Sequence, residues 1–407
     1  MFANVSLRQL EQRAVGRASS LFAEDMDANR KRVRDCVSGR RVLIVGGAGT
    51  IGSSTAQLLI EFGPQAMHII DRSENYLAEL ARDIRNRREG TSGADLRLWP
   101  LDYGDPITQR LLNEEEPYDI VFNFAALKHV RSEKDIYSLL QMIDTNIIRQ
   151  ARFKRWVTDR GGCARYFGVS TDKAANPVSL MGATKRLMED VLFSGATTNG
   201  CTVTSARFAN VAFSNGSLLQ AWLRRLELSQ PLAVPSDTRR YFITQREAGE
   251  ICLLAGLLAP PHTIVIPRMH LETDLRLLED VAVAVLSAHG LKAVVFRDEI
   301  AASVELEDLR GSGRWPLILT PQDTSGDKPY EEFVGAGEAI SEVGFKNLLV
   351  LTRDSTHATS MDVIDKLSQL VEGAQTTPTK ADIVSLVSGA LPSFRHIETG
   401  KSLDERI

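Results

Sequence analysis

Cysteine is scarce in this chain. Cys36, Cys163, Cys201 and Cys252 are spread over 407 positions, with no C-x-x-C pair among them. That excludes a disulfide framework and a zinc ribbon. It points to a reducing cytoplasm, with each thiol serving as a small buried apolar residue. No metal-ligand cluster is present, so no metal is expected. Eighteen apolar residues never run together, which leaves no candidate membrane span. The opening MFANVSLRQLEQRAVGRASS lacks the uninterrupted apolar core of a signal peptide. A basic excess is missing too: 48 Lys and Arg face 52 Asp and Glu, a net charge of −4, so nothing announces a nucleic-acid surface.

What is there reads as an enzyme-sized globular chain, long enough for two coupled lobes or one large α/β domain with additions. Residues 1–40 read as polar helices that pack on the main body or on a neighbouring subunit. From Arg41 short runs rich in Val, Ile and Phe alternate with amphipathic stretches. RVLIVG, MHIID, LRLWPLD, YDIVFNFAA and ARYFGVST are the strands, and NYLAELARDIRNRR is a typical helix between them. This alternation predicts a parallel sheet covered by helices on both faces. Beyond about Val211 it breaks down into helices such as EAGEICLLAGLL, with one clear strand, HTIVIP.

RVLIVGGAGTIGSSTAQLL reads as strand, glycine turn and helix, with Gly46, Gly49 and Gly52 spaced G-x-x-G-x-x-G. Residues without a β-carbon let the backbone bend and approach a pyrophosphate, which the helix N-terminus then attracts. Thr50 and Ile51 belong to the same cofactor contact. Asp71 follows 19 residues after Gly52 at the end of the next strand, the place for an acid that hydrogen-bonds the adenosine ribose. Its charge favours NAD, while neighbouring Arg72 could tolerate NADP. Asp102, ending the third strand, is a candidate partner for the adenine amino group or a turn residue.

After the fifth strand come Thr171, Asp172 and Lys173, a hydroxyl, a carboxyl and an amine at a strand's carboxyl end. One such group can donate a proton to a leaving group while another removes one from carbon. Met181 and Lys185 lie four apart at the start of the next helix, hence on one face.

GGAGTIGS, DRSENYLAEL, FAALKHV (124–130), STDKAANPVSLMGATK, RFANVAFSNGSL (207–218), RRYFIT (239–244) and GDKPYEEF (326–333) occur in the order seen in extended short-chain dehydrogenases. More closely, the chain resembles the CapD-type polysaccharide-biosynthesis family of nucleotide-sugar 4,6-dehydratases. The likeness implies an α/β fold: a Rossmann-type doubly wound parallel sheet over 41–210 and a smaller substrate-binding lobe, mainly 211–370. The helical extension at 1–40 and a C-terminal helix and tail at 371–407 complete it. It also implies bound NAD (NADP possible), a nucleotide-sugar substrate, UDP-linked in the family's usual case, and a homo-oligomer. Membrane-anchored relatives carry a transmembrane domain ahead of the matching region; without one here, a free cytoplasmic enzyme is expected.

In that family hydride leaves C4 of the sugar for the nicotinamide, water is lost across C5 and C6, and hydride returns to C6. By resemblance, Asp172 protonates the departing C6 hydroxyl, Lys173 removes the C5 proton, Thr171 bonds the 4-oxygen and Lys185 holds the nicotinamide ribose. Ala125 and Ala126 line the cofactor, Lys128 and His129 the cofactor or sugar, and Asn210, Ser217, Arg240 and Tyr241 the nucleotide side. Asn146 matches the superfamily's helix-borne Asn, or is an ordinary helix residue. Three departures stand out. The usual catalytic tyrosine is Met181, as in one active branch of the family. Thr324 stands where an arginine is expected. The glycine-serine-arginine-glycine turn reads FSNGS, with Asn215 for the arginine. Losing two phosphate-binding cations redirects the substrate choice. Epimerisation or net oxidation of a nucleotide sugar, and a non-catalytic cofactor-binding protein, are the competing readings.

Overall fold

The structure is a computed structural model that describes residues 5–86, 93–194, 200–321, 330–352, 361–373 and 376–397. Among these the strands are β1 Arg41–Val45, β2 Ala66–Ile70, β3 Asp95–Trp99, β4 Ile120–Asn123, β5 Arg165–Val169, β6 Thr202–Ala206, β7 Asn210–Val211 and β8 Leu232–Pro235. They continue with β9 Arg239–Ile243, β10 Thr263–Pro267, β11 Leu275–Leu277, β12 Lys292–Phe296, β13 Arg314–Thr320, β14 Ala339–Ser341 and β15 Leu348–Thr352.

Nine of them form one sheet, ordered β14-β15-β10-β6-β5-β4-β1-β2-β3. From β3 to β10 every pairing is parallel, and β15 and β14 close the far edge antiparallel. The central strands read as unbroken apolar runs because both faces are covered. Leu58, Leu59, Leu253 and Leu254, from helices Thr50–Leu59 and Gln245–Leu258, bury one face. Phe153, Val157, Met188 and Leu192, from Arg149–Asp159 and Leu180–Phe193, bury the other. The order reverses between β1 and β4, and a ligand cleft belongs at that switch point, beyond the strands' carboxyl ends.

Beyond Val211 the chain keeps feeding the large sheet, with β10, β14 and β15. The remainder builds two small sheets, β11-β9-β7 and a parallel β12-β13-β8. The second, through its own Trp315, packs on Trp222 and helix Leu278–Ala288. The N-terminal extension packs on this chain's own body. Helix Leu7–Val15 inserts Leu10, Ala14 and Val15 into that small core, and helix Ala23–Val37 lays Met26, Val33 and Val37 on the large one. Arg17 pairs with buried Glu247 at 2.6 Å between them. Among the described residues no helix is long and apolar enough to cross a membrane.

Candidate active site

The glycine turn is shaped by close approach. Gly46 has φ 66°, and a β-carbon there would stand 2.8 Å from the Ala125 nitrogen. One on Gly52 would meet the Gly46 carbonyl oxygen at 2.4 Å. These two glycines let the loop after β4 and the following helix crowd the turn. Gly49 caps helix Thr50–Leu59 without bringing a side chain to its first N–H groups, which suits a phosphate. Asp71 sits beside the turn, accepting from the Ala48 N–H at 3.0 Å and the Ser73 N–H at 2.9 Å. These residues fit a dinucleotide. Asp102 is committed elsewhere: Arg149 is 2.6 Å from one carboxylate oxygen, Gly104 N–H donates to the same oxygen, and Arg72 lies 3.6 Å from the other.

Asn146 positions the loop after β4. Its side chain accepts from Leu127 N–H and donates to Leu127 C=O, both at 2.9 Å, and donates to Thr184 at 3.1 Å. It lies in a π-helical turn, Asp144–Ile148, a deformation that recurs at functional sites. The loop so held carries Ala125, Ala126, Lys128 and His129. Lys128 is exposed, yet desolvation lowers its pKa, the combination expected of a side chain in a cleft. The His129 ring abuts Gly216, where a β-carbon would come within 2.8 Å. Asn215 N–H donates to Thr50 Oγ1 at 3.0 Å, so the FSNGS turn lies over the glycine turn.

At the end of β5, Thr171 Oγ1 donates to Asp172 Oδ1 at 2.8 Å, and Lys173 Nζ donates to the same oxygen at 3.1 Å. Asp172 is only 3% exposed. Lys173 Nζ also lies 3.7 Å from Oε1 of Glu331, itself 5% exposed. Desolvation alone would lower the Lys173 pKa, but Asp172 and Glu331 outweigh it, and the net shift is upward. Lys173 therefore rests as an ammonium. The motif fragment GDKPYEEF contained Glu331 without singling it out. Thr324 and the first half of that fragment lie outside the described residues.

Helix Leu180–Phe193 starts tight against this turn: a β-carbon on Gly182 would be 2.6 Å from the Lys173 carbonyl oxygen. Glu133, another residue the sequence did not mark, accepts from the Leu180 and Met181 N–H groups at 3.0 and 2.7 Å. Met181 is buried and offers no proton acceptor. Lys185 Nζ donates to the Val169 carbonyl at 2.7 Å, and burial pulls its pKa down to about 8.

Behind the site, fully buried Arg207 spans Glu189 and Glu338, with contacts of 2.6 Å to each. Ser170 donates to Glu189 at 2.6 Å, and Arg207 donates to the Phe333 carbonyl at 2.9 Å. This network ties β5, the Lys185 helix and the Glu331 segment together. Tyr241 packs on Phe333 at 5.5 Å, Asn210 donates to the Tyr241 carbonyl, and the charge of Arg240 reaches Lys173. The Ser217 hydroxyl is used as the cap of helix Leu218–Glu227, accepting from Gln220 N–H.

The polysaccharide biosynthesis protein family matches residues 42–304. The chain belongs to that family, in its CapD-type form. An uncharacterized membrane protein of Methanocaldococcus jannaschii is 30% identical over 71% of this chain and 88% of its own. An inverting UDP-N-acetylglucosamine 4,6-dehydratase of Campylobacter jejuni is 29% identical over 53% of this chain, which spans 63% of it. The structure of Pen from Bacillus thuringiensis superposes with TM-score 0.63 at 22% identity, covering 79% of this chain and 91% of that one, a likeness of fold. For this CapD-type chain the family match covers the motifs from the glycine turn to RRYFIT and ends before GDKPYEEF.

Proposed function

We propose that this CapD-type protein is an NAD(P)-dependent 4,6-dehydratase of a nucleotide-activated sugar, UDP-linked in the first instance. The observation that carries the reading is the Asp172–Lys173 pair, Asp172 buried and Lys173 partly so, with Thr171 bonded to the same carboxylate oxygen, at the carboxyl end of β5. Gly46, Gly49, Thr50, Ile51 and Gly52 hold the pyrophosphate of the cofactor, Asp71 its adenosine ribose, and Lys185 its nicotinamide ribose. Asp71 disfavours a 2′-phosphate and so favours NAD. The nicotinamide, when bound, supplies oxidation at C4 and reduction at C6. Thr171 orients the 4-oxygen, Asp172 protonates the departing C6 hydroxyl, and Lys173 takes the C5 proton. Lys128, His129, Asn210, Arg240 and Tyr241 hold the sugar and its nucleotide diphosphate.

The name of the Campylobacter jejuni relative supports this chemistry, and an epimerase would have no use for an acid–base pair at C5 and C6. The test is incubation with UDP-, dTDP-, GDP- and CDP-sugars, followed by mass spectrometry. Loss of one water without net NADH formation, abolished in Asp172→Asn, is expected. Unchanged mass with inverted stereochemistry, or loss of two hydrogens, overturns the reading.

A further inference from the structure

Met181 leaves the dehydratase with a proton-counting problem. The resting Asp172–Lys173 pair holds one proton, on Lys173. Oxidation at C4 releases a second, from the 4-hydroxyl. Elimination then needs Asp172 protonated and Lys173 neutral. With two protons on the pair alone, Lys173 would stay an ammonium and could not act as a base. A third basic group must lie within reach of Lys173, and Glu331 is placed for it. The ammonium stands between Asp172 Oδ1 at 3.1 Å and Glu331 Oε1 at 3.7 Å, and both carboxylates are buried. The other charge acting on it is Arg240, which opposes its protonation. Glu331 is held there by its own segment, since Arg207 binds the Phe333 carbonyl and pairs with Glu338.

We propose that Glu331 is the proton store of the site, taking the Lys173 ammonium proton as the 4-hydroxyl proton passes to Asp172. The inference rests on the dehydratase reading. The cycle balances. Neutral Lys173 removes the C5 proton as the C5–C6 double bond forms, the C6–O bond breaks, and the oxygen leaves as water with the Asp172 proton. Lys173 then returns its proton to C5 as the hydride taken from C4 returns to C6, and Glu331 returns the stored proton to Lys173. The net result is that the 4-hydroxyl proton departs in the water. The 3.7 Å separation needs a small approach on substrate binding, as is common for proton-transfer pairs in ligand-free sites.

Glu331 acts through Lys173, so it is a positioning residue, and its test begins with Lys173 itself. Competitive acetylation across pH, read by peptide mass spectrometry, gives the Lys173 titration midpoint without any turnover. In Glu331→Gln that midpoint should fall by about one unit or more, the usual effect of removing a nearby opposite charge. An unchanged midpoint in a variant that still melts like the parent and binds NAD overturns the proposal, whatever the enzyme's substrate. On a sugar the enzyme dehydrates, Glu331→Gln should lower kcat by about 100-fold or more with KM nearly constant, and Glu331→Asp should restore part of it. Loss confined to KM, or to thermal stability, also overturns it. Should no sugar be dehydrated, the reading of the enzyme fails while the labelling result still decides whether Glu331 controls Lys173.

Discussion

The backbone N–H of Asn215 donates to Thr50 Oγ1 at 3.0 Å, tying the turn that departs from the family pattern to the first residue of the helix after the glycine turn. Phe213, which opens that turn, holds φ at 54°, a region glycine occupies without strain and a bulky residue does not. Strain there is tolerated because Phe213 is buried among Leu219, Trp222 and Phe242. Removing the Thr50 hydroxyl should loosen the turn over the cofactor site. Thr50→Val is expected to weaken NAD binding by roughly 5- to 10-fold, about one hydrogen bond, while Thr50→Ser keeps parent affinity. Calorimetric titration with NAD checks both.

The Arg207 network makes an acid-sensitive fold. Burial would raise the Glu338 pKa, but Arg207 and Arg186 outweigh it and bring it to about 2, against 4.5 for a free glutamate. A depressed carboxylate contributes stability that is complete above its unfolded value and lost as pH falls through the folded one. The fall in melting temperature between about pH 4.5 and 2 should therefore be steeper in the parent than in Glu338→Gln. Arg207→Ala, which removes the guanidinium bridging buried Glu189 and Glu338 and leaves them Arg186, should cost about 3–5 kcal/mol at neutral pH by denaturant unfolding. Equal acid limbs in parent and Glu338→Gln would show that Glu338 carries no such linkage.

Lys185 gives the same sign of pH dependence from a different origin: here the charged form is the one the fold disfavours. Burial holds its pKa near 8, well under the ordinary lysine value of 10.5, so the unfolded chain binds the extra proton between those limits. Stability due to this group rises with pH across that window, and below it the ammonium penalises the fold in full. Lys185→Met should accordingly melt higher than the parent at pH 7, an advantage that fades as pH approaches 10. The same variant should lose turnover if Lys185 holds the nicotinamide ribose as proposed. A lower melting temperature at pH 7 would mean that the bond to the Val169 carbonyl outweighs desolvation.

Much of this was legible in the chain because it is local. Apolar runs gave the strands, and glycine spacing gave the phosphate turn. The threonine–aspartate–lysine string placed itself after β5. What the sequence hid are meetings across long separations. Glu331 is 158 residues from Lys173, and only the packing of residues 330–338 onto Arg207 brings them together. The partner of Asp102 is hidden in the same way: Arg149, 47 residues on, lies 2.6 Å from its carboxylate. Cys163 and Cys201, expected as unrelated buried thiols, lie sulfur to sulfur at 3.7 Å because they precede the neighbouring strands β5 and β6.

The helix that carries Lys185 has a second face, and the C-terminal helices cover it. Ile364 and Leu367, from Met361–Ser368, and Ile383 and Val387, from Lys380–Ala390, pack on Leu180, Ala183, Leu187 and Val191. None of the four belongs to the Thr171–Lys173 string, yet they share one buried cluster with the helix that carries Lys185. Leu367→Ala and Ile383→Ala should each cost about 2–5 kcal/mol, as for buried large-to-small changes elsewhere. The distinguishing expectation concerns local motion. Amide hydrogen exchange in the Leu180–Phe193 helix should accelerate in these variants more than in β1 or β2, because the lost contacts brace that helix directly. kcat should fall with it. Uniform acceleration across the whole sheet would mean that the C-terminal helices stabilise the fold globally and do not brace the Lys185 helix in particular.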